Sequence, residues 1–246
     1  MDEILLYLSL KHKGEWMAIY DSLQKREELS ARDIEKAVDE VDCKFVTLIN
    51  DDYVNNLKTI YKPPFGIFCY GDYSLLNKNI VTVYADDIEN NKYLQALRAE
   101  GINLLWVDVS NKQMVSILTI MPSNNIFYMP EAKNTANRTY QNILCNPDLV
   151  RANAFVSEIW ERRKEVDYSN QLQERMYLGL SKQVLVLKKL KARELLALSQ
   201  YCMNEDIHVV FLDSVLDEKT KKLFAKSKLS IITSPDQVIA MFGSKN

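Results

Sequence analysis

The run Gln183-Val-Leu-Val-Leu187, the polar and apolar stretch after it to Met203, and the run His208-Val-Val-Phe-Leu212 decide the fold. Val184–Leu187 is apolar without a break, as expected of a strand covered on both faces rather than one. Leu195, Leu198 and Cys202 recur at helical spacing behind it, and Val209–Leu212 is a second β-rich run. A strand, a helix and a strand in this order form a right-handed crossover between parallel neighbours.

Working outward, the same alternation fills the chain from residue 45 onward. Strands are predicted at Phe45–Ile49, Gly66–Tyr70, Ile80–Tyr84, Leu104–Val109, Ile126–Met129, Ala154–Ser157, Val184–Leu187, Val209–Leu212 and Leu229–Ile232. Helices are predicted near 88–99, 111–119, 135–145, 170–180, 190–203, 216–226 and 235–242. The last is well marked: Ser234 caps it, Pro235 opens it, and Gln237 completes a capping box. Before residue 43 the pattern is helical only. Ile4, Leu5 and Leu8, then Trp16, Ile19, Tyr20 and Leu23, recur at helical spacing, Gly14 separates the two, and Ser30 with Asp33 opens a third helix. The reading is a Rossmann-like α/β three-layer sandwich over 43–246 with a mostly parallel sheet. A small helical segment, 1–42, precedes this sandwich and packs on it.

The 246 residues carry 31 basic and 33 acidic side chains, a net charge of −2, so any nucleic-acid contact must rest on a local basic patch. Four scattered cysteines and two histidines lack structural-zinc spacing and fit a reducing, cytoplasmic setting. Met1-Asp2-Glu3 is acidic where a secretion signal is basic, and no apolar run approaches the roughly 18–20 residues of a membrane span. With six glycines there is no GxGxxG and no GxxxxGK. Nucleophile elbow and HExxH motifs are absent too, so neither an enzyme nor a cofactor is expected.

Two stretches resemble the DNA-processing protein A (DprA/Smf) family. The first is Ile49-Asn-Asp-Asp-Tyr53 with Leu57, Ile60-Tyr61, Pro63-Pro64, Phe68-Cys-Tyr-Gly71 and Leu75-Leu76, in which Val54 stands where the family has proline. The second is Gln173-Glu-Arg-Met-Tyr-Leu-Gly-Leu180, similar to the family's Arg-Asn-Arg-Ile-Ile-Ala-Gly-Leu, with Val184–Leu187 as the next strand. Phe155-Val-Ser-Glu158 resembles the Ser-Glu pair closing an earlier strand. The resemblance spans 45–246. It implies an extended Rossmann-like fold, single-stranded DNA binding, a homodimer, and a RecA-type recombinase partner loaded during natural transformation.

Where the family carries Gly-Ser/Thr-Arg, this chain reads Ala85-Asp86-Asp87. As the start of a helix two carboxylates satisfy the dipole; as a phosphate cradle they repel the ligand. Where the family carries a glycine-rich second turn, Leu104-Leu-Trp-Val-Asp-Val-Ser-Asn-Lys112 has no glycine. Lys112 reads either as a lone phosphate contact or as a solvated lysine.

Arg175 matches the second arginine of the third motif. Lys182, Lys188, Lys189, Lys191 and Arg193 gather around the next strand, where ligands of open α/β sheets bind. That cluster reads either as a nucleic-acid footprint or as a solvated lysine-rich loop. Arg138 with Tyr140 offers a stacking pair for a base, against the plainer reading of Tyr140 as core. The candidate nucleic-acid contacts are thus Arg138, Arg175, Lys188, Lys189, Lys191 and Arg193. Arg162-Arg163-Lys164 and Trp106 read as solvated face and core packing, and Glu158 as an acid with no local partner. Neither His12 nor His208 stands near an acid–nucleophile pair. The competing function is a non-catalytic protein-interaction scaffold that has lost its nucleic-acid site; a small-nucleotide binder rests on fold analogy alone.

Overall fold

A computed structural model of the chain describes residues 1–88, 91–161, 170–224 and 229–243. Three helices, α1 (Asp2–Lys11), α2 (Trp16–Gln24) and α3 (Ala31–Glu40), precede the sheet. Then come β1 (Lys44–Thr47), α4 (Asn55–Lys58), β2 (Gly66–Gly71), β3 (Ile80–Tyr84), α5 (Lys92–Ala99), β4 (Asn103–Trp106), α6 (Asn111–Ile120) and β5 (Asn125–Tyr128). The chain continues through α7 (Arg138–Leu144), α8 (Pro147–Ala152), β6 (Ala154–Ser157), α9 (Asn170–Ser181), β7 (Gln183–Val186) and α10 (Ala192–Asn204). It closes with β8 (His208–Leu212), α11 (Glu218–Phe224), β9 (Ser230–Ile232) and α12 (Pro235–Phe242).

Each strand expected from the sequence is present, within two or three residues at its ends. The nine form one sheet in the order β1-β2-β6-β5-β4-β3-β7-β8-β9. From β6 across to β9 every neighbouring pair is parallel, whereas β2 runs antiparallel to β6 and β1 antiparallel to β2. The chain lays down β4, β5 and β6 to one side of β3, then crosses back to place β7, β8 and β9 on the other. The order of strands therefore reverses between β3 and β7, and helices on both faces make three layers.

Alternation along the strands explains the layers. Val184 and Val186 point into a core with Leu57, Met176, Leu178, Cys202 and Phe211, while Leu185 points into the opposite core with Leu97, Ile117, Phe127 and Val238. Each fully buried aliphatic side chain of this kind contributes about 1.5–3 kcal/mol. A third cluster joins Leu6, Leu10 and Ala37 of the N-terminal helices to Phe68, Ala132 and Trp160, so the helical segment packs on the antiparallel end of the sheet, as expected. Trp160 there donates its indole N–H to Glu40 at 3.1 Å.

From Trp106, the last residue of β4, a chain of buried side chains crosses to the N-terminal ends of β5 and β6. Trp106 Nε1 donates to Asn125 Oδ1 at 3.0 Å, and Asn125 Nδ2 donates to Asn153 Oδ1 at 2.9 Å. Asn153 Nδ2 in turn donates to the Pro122 carbonyl at 2.8 Å. Trp106 is fully buried, in line with its reading as core. Gly71 ends β2 at φ +96°, and a Cβ there would lie 2.1 Å from the Asn153 carbonyl oxygen, so the position admits glycine alone.

Three readings need correction. The short helix α8 is absent from the sequence-based expectation, although Asn146-Pro147 is a legible start: the Asn146 side chain accepts from Asp148 N and Leu149 N. The helix expected from residue 88 starts at Lys92 instead, capped by Asn91, whose side chain accepts from Tyr93 N and Leu94 N. Asp86 and Asp87 therefore lie in the loop after β3 and do not cap it. The Ser234-Pro235-Gln237 start of α12 holds as read, with a full capping box. Among the described residues no helix is long and apolar enough to cross a membrane.

Candidate nucleic-acid interface

Parallel strands deliver their C-terminal ends to one rim, and a crevice opens there where the strand order reverses. It has a volume of 290 Å³ and lies between the ends of β3 and β7. Tyr84, Asp108, Glu174, Tyr177, Lys188 and Glu194 line it. Tyr84 donates its hydroxyl to that of Tyr177 at 3.3 Å, and the two rings meet edge-on. Lys188 Nζ lies 5.9 Å from the Tyr84 ring centroid.

Three carboxylates thus share the crevice with Lys188, and one of them, Glu194, also lies 3.9 Å from the Lys191 ammonium. Partial burial pushes the Asp108 carboxyl above its ordinary range; Lys188 pulls it down and Glu194 pushes it further up. Burial raises Glu174 as well, and Asp108 adds to the effect. Asp108 adopts φ +54°, a left-handed turn that aspartate tolerates and a β-branched residue does not. The phenols of Tyr84 and Tyr177 are pushed up by burial and stay neutral donors. The crevice therefore offers hydrogen bonds and aromatic surface under a net negative charge, which opposes a phosphate.

The basic residues expected to converge on this rim divide into five groups, the buried Arg175 being the last. Lys189, Lys191 and Arg193 are exposed together in the connection from β7 into α10. Lys191 is the N-cap of α10, its backbone N–H donating to Glu194 Oε2 at 2.9 Å while its side chain is 87% exposed. Lys188 sits apart from them in the acidic crevice. Arg138 opens α7, exposed, beyond β5; three strand spacings of about 4.8 Å separate β5 from β7. Lys182 precedes β7 and so lies at the other end of that strand from Lys188.

Arg175 is a correction. It is buried at 3% exposure and ion-paired at 2.6 Å with Glu158, itself 7% exposed. Burial pushes the Glu158 carboxyl up, and Arg175 pulls it back down. A guanidinium locked in this way is not presented to a ligand at the surface, and Glu158 is not an unpartnered acid. The pair is 17 positions apart in the chain, and no local signal joins them. Tyr140 is likewise core, fully buried with its hydroxyl donating to the Ala132 carbonyl at 3.3 Å.

Lys112 is exposed on the first turn of α6, which Ser110 and Gln113 cap between them. His12 contacts the Ser22 hydroxyl at 2.8 Å, and Ser22 also hydrogen-bonds the Glu27 carboxylate, which Lys11 and Ser22 hold below its ordinary range; His208 packs against Phe242. Arg162, Arg163 and Lys164, and the side chain of Gln173, lie outside the described residues. Among the described residues no three His, Cys, Asp or Glu side chains are grouped to hold a metal ion.

No protein-family model matches the chain, and no curated protein matches it. Solved structures do. DNA processing protein A from Streptococcus pneumoniae superposes with a TM-score of 0.61 at 15% identity, over 97% of this chain and 96% of that one. DNA processing protein A from Helicobacter pylori, whose structure was described for a unique single-stranded DNA binding mode, gives a TM-score of 0.60 at 16% identity. The match covers 81% of this chain and 96% of the Helicobacter protein. Sheet order, layers and these two superpositions lead to one conclusion: the chain has the fold of DNA processing protein A.

Proposed function

We propose that this protein binds single-stranded DNA through the exposed ridge Lys189, Lys191 and Arg193, with Arg138 as an outlying contact on the same rim. The observation that carries the reading is the match of its backbone to DNA processing protein A, one structure of which is described for single-stranded DNA binding. Placement of three exposed cations beside the strand-order reversal supports it, because ligands of open α/β sheets gather there. On this reading residues 1–42 are an accessory helical segment and 43–246 the binding domain. The chain acts in the cytoplasm as a homodimer that passes its strand to a RecA-type recombinase during DNA uptake and natural transformation. It has no catalytic step.

The test is a titration with fluorescent oligothymidylate at several salt concentrations. Affinity falls with a log–log slope of about −0.7 per phosphate contacted, since counterions are released from a single strand. Reversing Lys189, Lys191 and Arg193 to glutamate together flattens that slope by about two units. Binding that is absent, or insensitive to salt, refutes the reading.

A second reading has its own support. Asp108, Glu174 and Glu194 line the crevice beside Lys188, and Arg175 is engaged with Glu158. These features suit a scaffold that meets protein partners and has given up the nucleic-acid site. The oligonucleotide titration separates the two, since both allow self-association: this reading requires a protein contact and no affinity for oligonucleotide.

A further inference from the structure

A second set of aromatic rings lies well away in sequence from the rim, on α2 and on the turn that leads into β2. Trp16 opens α2, and its indole N–H donates to the Pro63 carbonyl at 2.9 Å, which fixes the ring. Tyr20, one helical turn on, stacks against it with centroids 5.2 Å apart and planes 13° from parallel. Phe65 stacks against the same indole at 5.1 Å. Lys62, held at φ +53°, places its ammonium 5.4 Å from the Trp16 ring and 5.4 Å from the Tyr61 ring.

Packing of α2 onto the turn accounts for Trp16 and Phe65. It does not account for Tyr61, 69% exposed, or for Tyr20, 38% exposed at the end of the stack. Nor does it account for the cations. Lys58 ends α4, exposed, and neither Lys58 nor Lys62 has a carboxylate within salt-bridge distance among the described residues. The exposed rings of Tyr20 and Tyr61, beside ammonium groups with no carboxylate partner, complement the alternation of bases and phosphates in a single strand. A duplex keeps its bases stacked on each other and has no use for such rings.

We propose that Tyr20 and Tyr61, with Lys58 and Lys62 and braced by Trp16, form a base-stacking platform for single-stranded nucleic acid, separate from the basic ridge on the rim. The inference rests on the reading that this protein binds single strands, and it adds a second contact surface to it.

The chain carries its own reporter. Of its three tryptophans, Trp106 and Trp160 are fully buried and Trp16 is half-buried, so emission that acrylamide can quench comes from Trp16. Saturating the full chain with oligothymidylate is expected to protect that emission from acrylamide. Tyr61→Ala with Lys62→Glu is expected to lower affinity about tenfold, the scale of one lost stacking contact, with an unchanged thermal melt. Tyr61→Phe restores affinity to within about twofold, because the ring and not the hydroxyl is used. The rim variant with Lys189, Lys191 and Arg193 reversed binds more weakly yet still protects Trp16.

Oligonucleotide binding by the wild-type chain with Trp16 unprotected, and with full affinity in Tyr61→Ala/Lys62→Glu, overturns the platform and leaves the rim reading standing. No binding by the wild-type chain overturns both. If Tyr61→Ala/Lys62→Glu changes self-association in light scattering but not oligonucleotide affinity, the face is a protein contact and the inference fails.

Discussion

Two tyrosine-lined surfaces of this protein carry opposite charge. In the crevice between β3 and β7, Tyr84 and Tyr177 are accompanied by Asp108, Glu174 and Glu194 beside a single Lys188. On α2 and the turn before β2, Tyr20, Tyr61 and Trp16 are accompanied by Lys58 and Lys62, which have no acidic partner among the described residues. The first lies where strand topology directs a ligand and repels an anion; the second lies outside that frame and invites one. Fold likeness fixes where a crevice forms, because strand order does. It leaves open the sign of the charge there, which is set by loop residues that the sheet does not constrain.

The largest expected effect bears on the frame common to both surfaces. Arg175 is assigned to neither surface because Glu158 holds it in the interior. Its Nε and Nη1 atoms have no hydrogen-bond partner among the described residues, so the pair itself adds little net stability. Breaking it is another matter. Glu158→Ala leaves a buried, uncompensated guanidinium and is expected to cost about 3–5 kcal/mol in urea unfolding. Arg175→Leu with Glu158→Leu is expected to recover most of that loss. An Arg175 variant of unchanged stability that binds oligonucleotide poorly would return Arg175 to the rim and blur the comparison.

A smaller effect sharpens the crevice side. Asp108→Asn with Glu174→Gln removes two negative charges and is expected to strengthen oligonucleotide binding by roughly 0.5–1 kcal/mol at low salt. The same substitution changes the pH dependence of stability. Both carboxyls have folded-state pKa values above their ordinary values, so the fold holds their protons more tightly than the unfolded chain does. Their ionisation works against the fold: stability falls as pH rises from about 4 through the raised values, and the loss is complete above them. Unfolding midpoints measured from pH 4 to 7 should therefore decline less in the double variant than in the wild-type chain. Equal declines would mean that the crevice charges are fully solvated.

The smallest expected effect is a control. Lys182→Glu, at the opposite end of β7, should change oligonucleotide affinity by less than about 0.5 kcal/mol at 0.15 M salt, because charges beyond a Debye length of about 8 Å are screened. A loss equal to that from Lys189→Glu would mean the strand tracks across the sheet end to end.

Legibility in the sequence tracks the range of the forces involved. Strands such as Val184–Leu187 announce themselves because burial on both faces demands an unbroken apolar run, and α12 because Ser234, Pro235 and Gln237 act within four positions of one another. Asp86 and Asp87 mislead because two carboxylates suit a helix start wherever they stand, and Asn91 takes that role instead. The crevice is not legible. Asp108, Glu174 and Glu194 come from three separated segments, and only the parallel register of β3, β4 and β7 brings them together. The same holds for the Glu158–Arg175 pair and for the stack of Trp16 on Phe65. A conspicuous run of lysines from 182 to 193, by contrast, is split by the strand in its middle.

The buried relay from Trp106 through Asn125 to Asn153 has a bearing on how freely this molecule can change. It ties the end of β4 to the starts of β5 and β6, and its donors and acceptors lie within or just before the strands rather than in the loops that follow them. The connections that follow these strands supply none of its donors or acceptors. They can be rewritten like the fingers of a glove whose palm is already stitched, and Asp108→Gly, at φ +54° in the turn after β4, should fold on this chassis without further repair.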